Sequence, residues 1–351
     1  MKILNRFIKL IISSLFSILI LSSCSKENPI IDNSDNSFKM LVATGENHSE
    51  LSVIEQPSGK IINANLLSSP IYSEINKKEI SRIAVYGSHI YALIPEAYKI
   101  FIYNRWNYNF IDSISFENEK IMPIDIAFSN ATDAYLIFKD YSKVAIVDIK
   151  FYKTSRFIDI GESPSSIAYY SGKILITNNT SNTVSIINSQ NYTFENEIQV
   201  SASPLQIVVA PNSPIASIIC GKNALIDSNA TDIPNAKIDI LDLSQLKITR
   251  SFDLRSPIFD ANKIYPSGAS ISSNNILIVA TQHGLFKSNI KTLSLPILTK
   301  KYGVKAITST PIQDKFLIID SESKGKIISP ITVETEMELN LPLNIGTMVI
   351  I

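Results

Sequence analysis

Few residues in this sequence have the types and spacing that catalysis or metal binding requires. The three histidines, His48, His89 and His283, lie far apart, and none has a second histidine, a cysteine or an acid at the spacing of a local metal site. The sequence also lacks a glycine-rich phosphate-binding loop and a G-x-S-x-G segment. Only a fold that brings distant segments together can therefore assemble a reactive site.

The N-terminal segment places one cysteine in a setting typical of exported proteins. Three basic residues precede an apolar run from Leu10 to Leu21, which is too short to cross a bilayer comfortably. These features predict a signal peptide over residues 1–23. The run ends in Leu-Ser-Ser-Cys, which resembles the lipobox of bacterial lipoproteins. This resemblance implies that Cys24 is acylated and becomes the first residue of the mature chain.

The segment after Cys24 has the composition of a tether. Residues 24–37 are mostly polar and are interrupted by Pro29, which predicts a flexible connection between a lipid anchor and a folded domain. Lys26 and Glu27 follow the cysteine, in a partial resemblance to the surface-export signals of Bacteroidota lipoproteins. We therefore expect an outer-membrane lipoprotein that is exposed on the cell surface.

Composition narrows the classes of partner. The 32 basic residues balance 32 acidic ones, so the chain has no basic field that would attract nucleic acid. The sequence has two cysteines, and with Cys24 assigned to lipid no disulfide framework is available. The second, Cys220, ends the apolar segment Ile215–Cys220 and is expected to be a small buried hydrophobic residue.

A short motif recurs at a spacing of about 40 residues, with one longer interval. In the copy that begins at Pro164, two variable residues, an aliphatic and a small residue follow the proline. An apolar segment, a polar turn and an alternating segment ending at Asn188 come next. Other copies begin at Ile80, Pro123, Pro204, Pro266 and Gly303. Repeats of about this length, each containing about four short strands, predict an all-β fold over residues 38–351, a single β-propeller of about seven four-stranded blades.

The two ends of the repeat region complement each other. The first unit begins at Lys39 with what reads as a second strand, and no proline-led strand precedes it. At the other end, Pro342–Gly346 matches the motif and continues into Thr347–Ile351 with no later strand to pair with. We therefore expect the C-terminal strand to join the first blade and close the ring, which removes two sheet edges.

The long interval between Pro204 and Pro266 indicates an insertion. Residues 221–236, between the second and third strands of the fifth blade, have the aspartate, asparagine and proline content of a loop. Their side-chain oxygens are of the kind that binds calcium, although the spacing matches no standard calcium loop. No other motif indicates a cofactor.

The strand order of a propeller predicts where a binding site would form. Loops that join second to third strands, and loops that lead into each first strand, emerge on one face. Aromatic, amide and imidazole groups there would suit a small ligand or a partner. The candidate ligand-binding residues are Tyr98, Tyr141, Asn179, Asn182, Tyr265, His283 and Tyr302. For each, the alternative is an ordinary turn residue. Trp106 is expected on the opposite or outer side.

One family resembles these repeats. The segment from Pro164 to Asn188 is similar to the YVTN-type β-propeller repeat, whose consensus is close to P-x-x-I-A, then YVTN, then NTVSVID. Leu175, Ile176, Thr177 and Asn178 stand where the consensus has YVTN. The resemblance covers nearly the whole mature chain and implies the propeller fold. It implies no single function, because this architecture serves many.

Two functional hypotheses from different classes follow. The first is a non-enzymatic surface lipoprotein that captures a ligand or docks on a partner, and the lipobox and the lack of a local catalytic motif favour it. Its similarity to the vitamin B12-capturing propeller lipoproteins implies a corrinoid ligand and an outer-membrane TonB-dependent transporter as partner. The second is a lactonase-like, metal-dependent hydrolase with acids at the axis, drawn from Glu46, Asp140, Glu162 and Glu322. A scaffold or adhesion protein without a small ligand is a third alternative.

Overall fold

Apolar segments bounded by turn residues form the strands of the protein. The computed structural model describes residues 37–67, 78–221, 235–255, 264–300, 302–310, 314–342 and 345–351. The predicted signal peptide, Cys24, the tether before Ser37 and residues 222–234 of the predicted insertion lie outside the described residues. Within these ranges, no helix is long and apolar enough to cross a membrane.

The described residues contain 28 β-strands and two short 3-10 helices, Glu46–His48 and Pro95–Ala97. The first half comprises β1 (Phe38–Thr44), β2 (Glu50–Gln56), β3 (Lys60–Asn63), β4 (Arg82–Tyr86), β5 (His89–Ile94), β6 (Lys99–Asn104), β7 (Phe110–Ser115), β8 (Met122–Phe128), β9 (Asp133–Lys139), β10 (Tyr141–Asp148), β11 (Lys153–Asp159), β12 (Pro164–Tyr170), β13 (Lys173–Asn178), β14 (Thr183–Asn188) and β15 (Thr193–Gln199). The second comprises β16 (Pro204–Val209), β17 (Ile215–Cys220), β18 (Lys237–Asp242), β19 (Lys247–Asp253), β20 (Pro266–Ile271), β21 (Ile276–Thr281), β22 (Gly284–Asn289), β23 (Ile297–Lys300), β24 (Val304–Ser309), β25 (Phe316–Asp320), β26 (Gly325–Ile328), β27 (Thr335–Glu338) and β28 (Met348–Ile350).

These strands pair into seven four-stranded antiparallel sheets, which confirms the predicted all-β propeller of seven blades. Blade 1 has the order β28-β1-β2-β3, and blades 2 to 7 each use four consecutive strands, from β4 to β27. First strands of neighbouring blades contact one another around the axis, as β12 contacts β16 and β20 contacts β24. The fourth strand of each blade is therefore the outermost.

The C-terminal strand closes the ring, as the sequence predicts. Strand β28 pairs antiparallel with β1, with Val42 opposite Met348 and Met40 opposite Ile350. The amide of Ile351 continues the ladder by donating a hydrogen bond of 3.0 Å to the carbonyl oxygen of Lys39. The inner edge of β1 is thus covered by the end of the same chain, and no blade is left short of a strand.

The hydrophobic core is divided into seven clusters, one between each pair of neighbouring blades. Because each sheet packs against a blade on both of its faces, its middle strands are apolar on both faces. In β9, Leu136 packs towards blade 2, whereas Tyr135 and Ile137 pack towards blade 4. This two-sided burial explains why the second strands read as continuous apolar runs and not as alternating ones.

The proline-led motif corresponds to a bulge at the beginning of the innermost strand. Pro164 lies opposite Asn178 and Ser166 lies opposite Thr177, so Ser165 is an extra residue in β12. The same register shift follows Pro123, the second paired residue of β8, and the first pairs of β16, β20 and β24. Proline is favoured where the ladder begins because it has no N–H to donate. The bulge turns the following residue towards the neighbouring blade.

Candidate functional site

The propeller has two ends that differ in their connections. We call the end that carries the turns between second and third strands and the connections between blades the loop face. The opposite end, which carries the turns between first and second and between third and fourth strands, is the turn face. All seven candidate ligand-binding residues lie at the loop face, whereas Trp106 lies in a turn of the turn face between β6 and β7. The candidates do not form one group there. They fall into three groups on different blades.

The asparagine pair on blade 4 stabilises the loop itself. Asn179 donates a hydrogen bond from its side-chain Nδ2 to the Pro204 carbonyl oxygen at 3.1 Å. The side-chain Oδ1 of Asn182 accepts a hydrogen bond of 2.7 Å from the Ser203 amide. Asn182 also has a positive φ of 56°, a conformation that asparagine tolerates better than most residues. Both side chains therefore bind the neighbouring connection, in keeping with the turn-residue alternative.

The second group surrounds blade 6. Tyr265 donates its amide N–H to the side-chain oxygen of Gln282 at 2.8 Å, and the His283 amide donates to Thr281 Oγ1 at 3.2 Å. Tyr302 is half-buried, with the Lys326 ammonium 5.2 Å from the centre of its ring. Burial raises the pKa of the Tyr302 phenol, and the positive charge of Lys326 opposes that shift. Tyr302 thus packs over a cation, Lys326, that belongs to no sequence motif.

That cation belongs to a buried ion pair at the top of blade 7. The side chain of Asp320 is only 6% exposed and lies 2.7 Å from the ammonium of Lys326, which is 17% exposed. The other carboxylate oxygen of Asp320 accepts hydrogen bonds of 2.9 Å from the amides of Glu322 and Lys324. Asp320 ends an apolar second strand, at the position that Asn178 holds in blade 4. This position in the repeat is the sequence feature that could have indicated Asp320 as a residue of interest.

The third group, on blades 2 and 3, lies beside an open cleft. Tyr98 follows the 3-10 helix Pro95–Ala97 with a positive φ of 55°, which is uncommon for a bulky residue. Tyr141 packs edge-on against Phe138 and Phe157, with ring centres 5.9 and 6.1 Å apart. Both tyrosines are partly buried against the core between blades 2 and 3. Only Tyr141 also lines the cleft.

The cleft has a volume of about 390 Å³ and combines charge with apolar surface. Its lining consists of Lys120, Ile121, Met122, Lys139, Asp140 and Tyr141. Lys120, Lys139 and Asp140 are exposed, and none of them forms an ion pair with another described residue. Ile121 is buried, while Met122 and Tyr141 are half-buried. Two ammonium groups that have no ion-pair partner among the described residues outnumber the one carboxylate, Asp140, and lie beside an aromatic ring. Such a lining can bind a ligand that has an anionic group and an apolar body.

A second cleft, of about 440 Å³, opens on the turn face between blades 3 and 4. Its lining is polar, but Asn130, Tyr169 and Tyr192 already form hydrogen bonds within the turns. Asn130 accepts hydrogen bonds from the amides of Thr132 and Asp133, and the Tyr192 hydroxyl donates to Asp133 at 3.0 Å. The Tyr169 hydroxyl accepts from the Gly172 amide at 3.1 Å. These groups are therefore committed to structure, which leaves the loop-face cleft as the better candidate site.

The wall of the central channel is held together by bonds between blades. Arg82 forms an ion pair of 3.2 Å with Asp125, joining the first strands of blades 2 and 3. Gln206 accepts from the Ala269 amide at 2.8 Å and joins blades 5 and 6. Comparable bonds run from Ser165 to Pro204 and from Ser267 to Val304. The channel wall thus uses its polar groups to fix the blades.

The described residues contain no metal-binding cluster that would support the metal-dependent alternative. Within them, no three histidine, cysteine, aspartate or glutamate side chains lie close enough together to hold an ion. Asp140, Glu162 and Glu322 lie in separate loops of blades 3, 4 and 7. Residues 222–234, which contain the oxygen-rich part of the predicted insertion, lie outside the described ranges.

Cys220 is a buried core residue, as the sequence predicts. Its side chain is fully buried at the end of β17 in the core between blades 4 and 5. Burial, followed by the nearby Asp239 carboxylate, raises the pKa of the Cys220 thiol. A thiol that stays protonated and inaccessible is a poor nucleophile, so Cys220 acts in packing.

Comparisons with known proteins support the fold. No protein-family model matches this chain, and neither does any curated protein. Among solved structures, Kuenenia stuttgartiensis hydrazine synthase is similar with a TM-score of 0.57 and 11% identity, over 69% of this chain and 74% of that one. The computationally designed Ika8 protein is similar with a TM-score of 0.61 and 10% identity, over 87% of this chain and 85% of its own. Likeness at such low identity shows a shared β-propeller fold alone.

Proposed function

We propose that this protein is a lipid-anchored, non-enzymatic capture propeller that binds an anionic, amphiphilic small molecule in the loop-face cleft beside Tyr141. The observation that carries the proposal is that one cleft brings together Lys120 and Lys139, neither of which is ion-paired with a described residue, and the ring of Tyr141. No buried nucleophile or acid pair lies among the residues that line it. Binding is therefore the chemistry that this lining supports.

The direction in which the chain leaves the domain supports an outward-facing cleft. Strand β1 ends at the loop face, where residues 45–49 connect it to β2, so Phe38 at its beginning lies at the turn face. The proposed anchor at Cys24 and its tether therefore attach at the end opposite the cleft. An anchored propeller would direct the cleft away from the membrane, towards ligands in solution.

Cobalamin is the most concrete ligand that we propose. It carries an anionic phosphodiester and a large amphiphilic ring system, which suits the lysines and Tyr141 respectively. The resemblance to corrinoid-capturing lipoproteins supports the same ligand. In this proposal, the protein lies on the bacterial cell surface and passes its ligand to an outer-membrane TonB-dependent transporter.

Acylation is tested directly at Cys24. Mass spectrometry of the membrane fraction is expected to find an N-terminal peptide that begins at Cys24 and carries acyl chains. Cys24→Ala is expected to abolish the modification and nearly all partition into a detergent phase. Cys220→Ala is the matched control and should leave partition unchanged, because Cys220 is buried. An unmodified peptide spanning Cys24 in the membrane-associated protein would contradict the anchor.

Ligand binding is tested by thermal unfolding and titration with cobalamin, haem, glycans and calcium. A ligand at about one hundred times its Kd stabilises the folded state by about 2.7 kcal/mol. We expect cobalamin to raise the unfolding midpoint, and we expect Lys120→Gln/Lys139→Gln to weaken its affinity about tenfold, or about 1.4 kcal/mol. The substituted side chains are exposed, so folding should be preserved.

The control for this test makes the same charge change on the opposite end. Lys150→Gln/Lys153→Gln also removes two exposed lysines, at the turn face, and should leave the affinity unchanged. If both double variants weaken cobalamin affinity equally, the effect comes from net charge, and the cleft is not the binding site.

A stabilisation by calcium alone, reversed by a chelator, would favour the metal-dependent alternative. An unchanged midpoint with every probe would favour a scaffold.

A further inference from the structure

The turn face exposes an unusual set of apolar side chains. Eleven large hydrophobic residues are exposed among the described ranges, and all eleven lie in the turns of this face or within three residues of one. Four of the five most exposed are at turn tips, where Trp106, Phe151 and Ile331 are each 63% exposed and Leu295 is 70% exposed, and the fifth, Ile297, begins β23 and is 65% exposed. Single exposed hydrophobic residues are ordinary, but their restriction to one end marks a surface that meets something apolar.

Their arrangement fits a flat partner. These four tips belong to the turns between third and fourth strands in blades 2, 3, 6 and 7. Equivalent turns of a propeller lie at similar heights along its axis, so the tips form part of a ring in one plane. A ring of this kind cannot close around a small molecule, but it can rest on an extended surface.

Positive charge accompanies the apolar tips. Lys60, Lys150, Lys153, Lys247 and Lys291 are exposed at this face, and none forms an ion pair with another described residue. The Arg105 guanidinium lies 5.0 Å from the Trp106 ring and the Lys150 ammonium 5.6 Å from the Phe151 ring. Acids such as Glu55, Asp112 and Asp148 lie in or beside the same turns, so the charge of this face is mixed.

The acids beside these lysines stay charged and serve their own turns or pairs. Asp148 and Asp242 use their carboxylates to accept amide hydrogen bonds within their own turns, and Glu334 is paired with Lys300. This face combines aromatic and aliphatic tips with lysine and arginine. Surfaces that bind at the headgroup level of bilayers have the same combination of side chains.

We propose that the turn face is a peripheral membrane-binding surface for a lipid bilayer. The inference rests on the proposed lipid anchor, because the tether reaches the domain at Phe38 on this same face. A flexible tether of the length that the sequence predicts would have an average span of roughly 20 Å, which would keep the apolar tips within reach of the lipid. Anchor and surface then hold the domain in one orientation, with the cleft away from the membrane.

Trp106 is the only tryptophan of the chain, so its fluorescence reports on this face alone. The test uses the full acylated chain in vesicles of phosphatidylcholine and phosphatidylglycerol, with and without bromine on the acyl chains. We expect Trp106 emission to shift to shorter wavelength on vesicle binding and to lose most of its intensity when the lipids are brominated. Iodide in the aqueous phase should quench it less than it quenches the vesicle-free protein.

A relocated tryptophan provides the matched control. Trp106→Phe combined with Thr180→Trp moves the fluorophore to an exposed position of the loop face, and brominated lipid should leave its emission unchanged. Equal quenching at both positions would contradict the proposed orientation. Protein that floats with vesicles while Trp106 stays unquenched would overturn the surface but leave the anchor intact, whereas protein that fails to float would contradict both. If Trp106 emission shifts with protein concentration in the absence of lipid, this face instead contacts a second copy of the chain.

Discussion

Removal of Met348–Ile351 is expected to lower the free energy of unfolding by about 5 kcal/mol and to make the protein prone to aggregation. Met348 and Ile350 are 8% and 6% exposed and pack in the core between blades 7 and 1. Burial of each such side chain contributes about 1.5–3 kcal/mol. Their loss also uncovers the inner edge of β1, which becomes free to pair with another chain.

Urea unfolding followed by far-UV circular dichroism would measure this loss. Ile61→Ser, in the outermost strand of the same blade, is the control, because Ile61 is 54% exposed and its replacement should change stability by no more than about 0.5 kcal/mol. A truncated chain with the unfolding midpoint of the full chain would show that closure by β28 does not stabilise the ring.

Asp320→Ala is expected to lower the free energy of unfolding by about 3 kcal/mol at neutral pH. The substitution leaves the largely buried ammonium of Lys326 without its partner, and breaking a buried pair in this way is costly. It also removes the acceptor of the Glu322 and Lys324 amides, which shape the turn after β25. Tyr302 should lose order as well, because its ring packs against Lys326.

The control is an ion pair with similar geometry and different exposure. Lys143 lies 2.8 Å from Asp159, but the Asp159 side chain is 84% exposed, so Asp159→Ala should cost no more than about 0.5 kcal/mol. Similar losses for the two variants would show that burial of the Asp320 pair is irrelevant to its effect.

The pH dependence of stability should identify the same pair. Burial would raise the pKa of Asp320, but hydrogen bonds from Lys326 and the Lys324 amide outweigh it and hold the pKa below its ordinary value. The stabilisation is therefore complete above about pH 4, the ordinary aspartate range, and is lost as pH falls through the lower pKa of the folded state. Asp320→Ala should lack this part of the acid-induced loss of stability. An unchanged acid profile would contradict the assignment.

Much of the architecture could be predicted from local sequence. Two-sided burial requires continuous apolar strands such as Ile174–Thr177, and the bulge near the start of five of the innermost strands favours proline at positions such as Pro123 and Pro204. These requirements repeat in each blade, so the sequence repeats too. The missing first strand and the surplus last one then predicted ring closure, which the β1 and β28 pairing confirms.

The candidate site could be predicted only in part. Strand order alone determines which end of the propeller each loop occupies, so the loop-face position of residues such as Tyr141 and Tyr302 follows from the repeat. What each side chain does there depends on the neighbouring blade. Asn179 and Asn182 have the residue types of a binding loop, yet their amides bind the connection that leads into blade 5.

The sequence by itself thus determined the blade count, the order of strands, the closure of the ring and the face on which each loop emerges, because these follow from periodic patterns within about 40 residues. Only the tertiary structure decided that Lys120 and Lys139 flank one cleft, that Asp320 and Lys326 pair under Tyr302, and that the exposed apolar residues gather at the turn face. The physical reason is that charge pairing and exposure depend on side chains brought together by packing, and no local period encodes those distances.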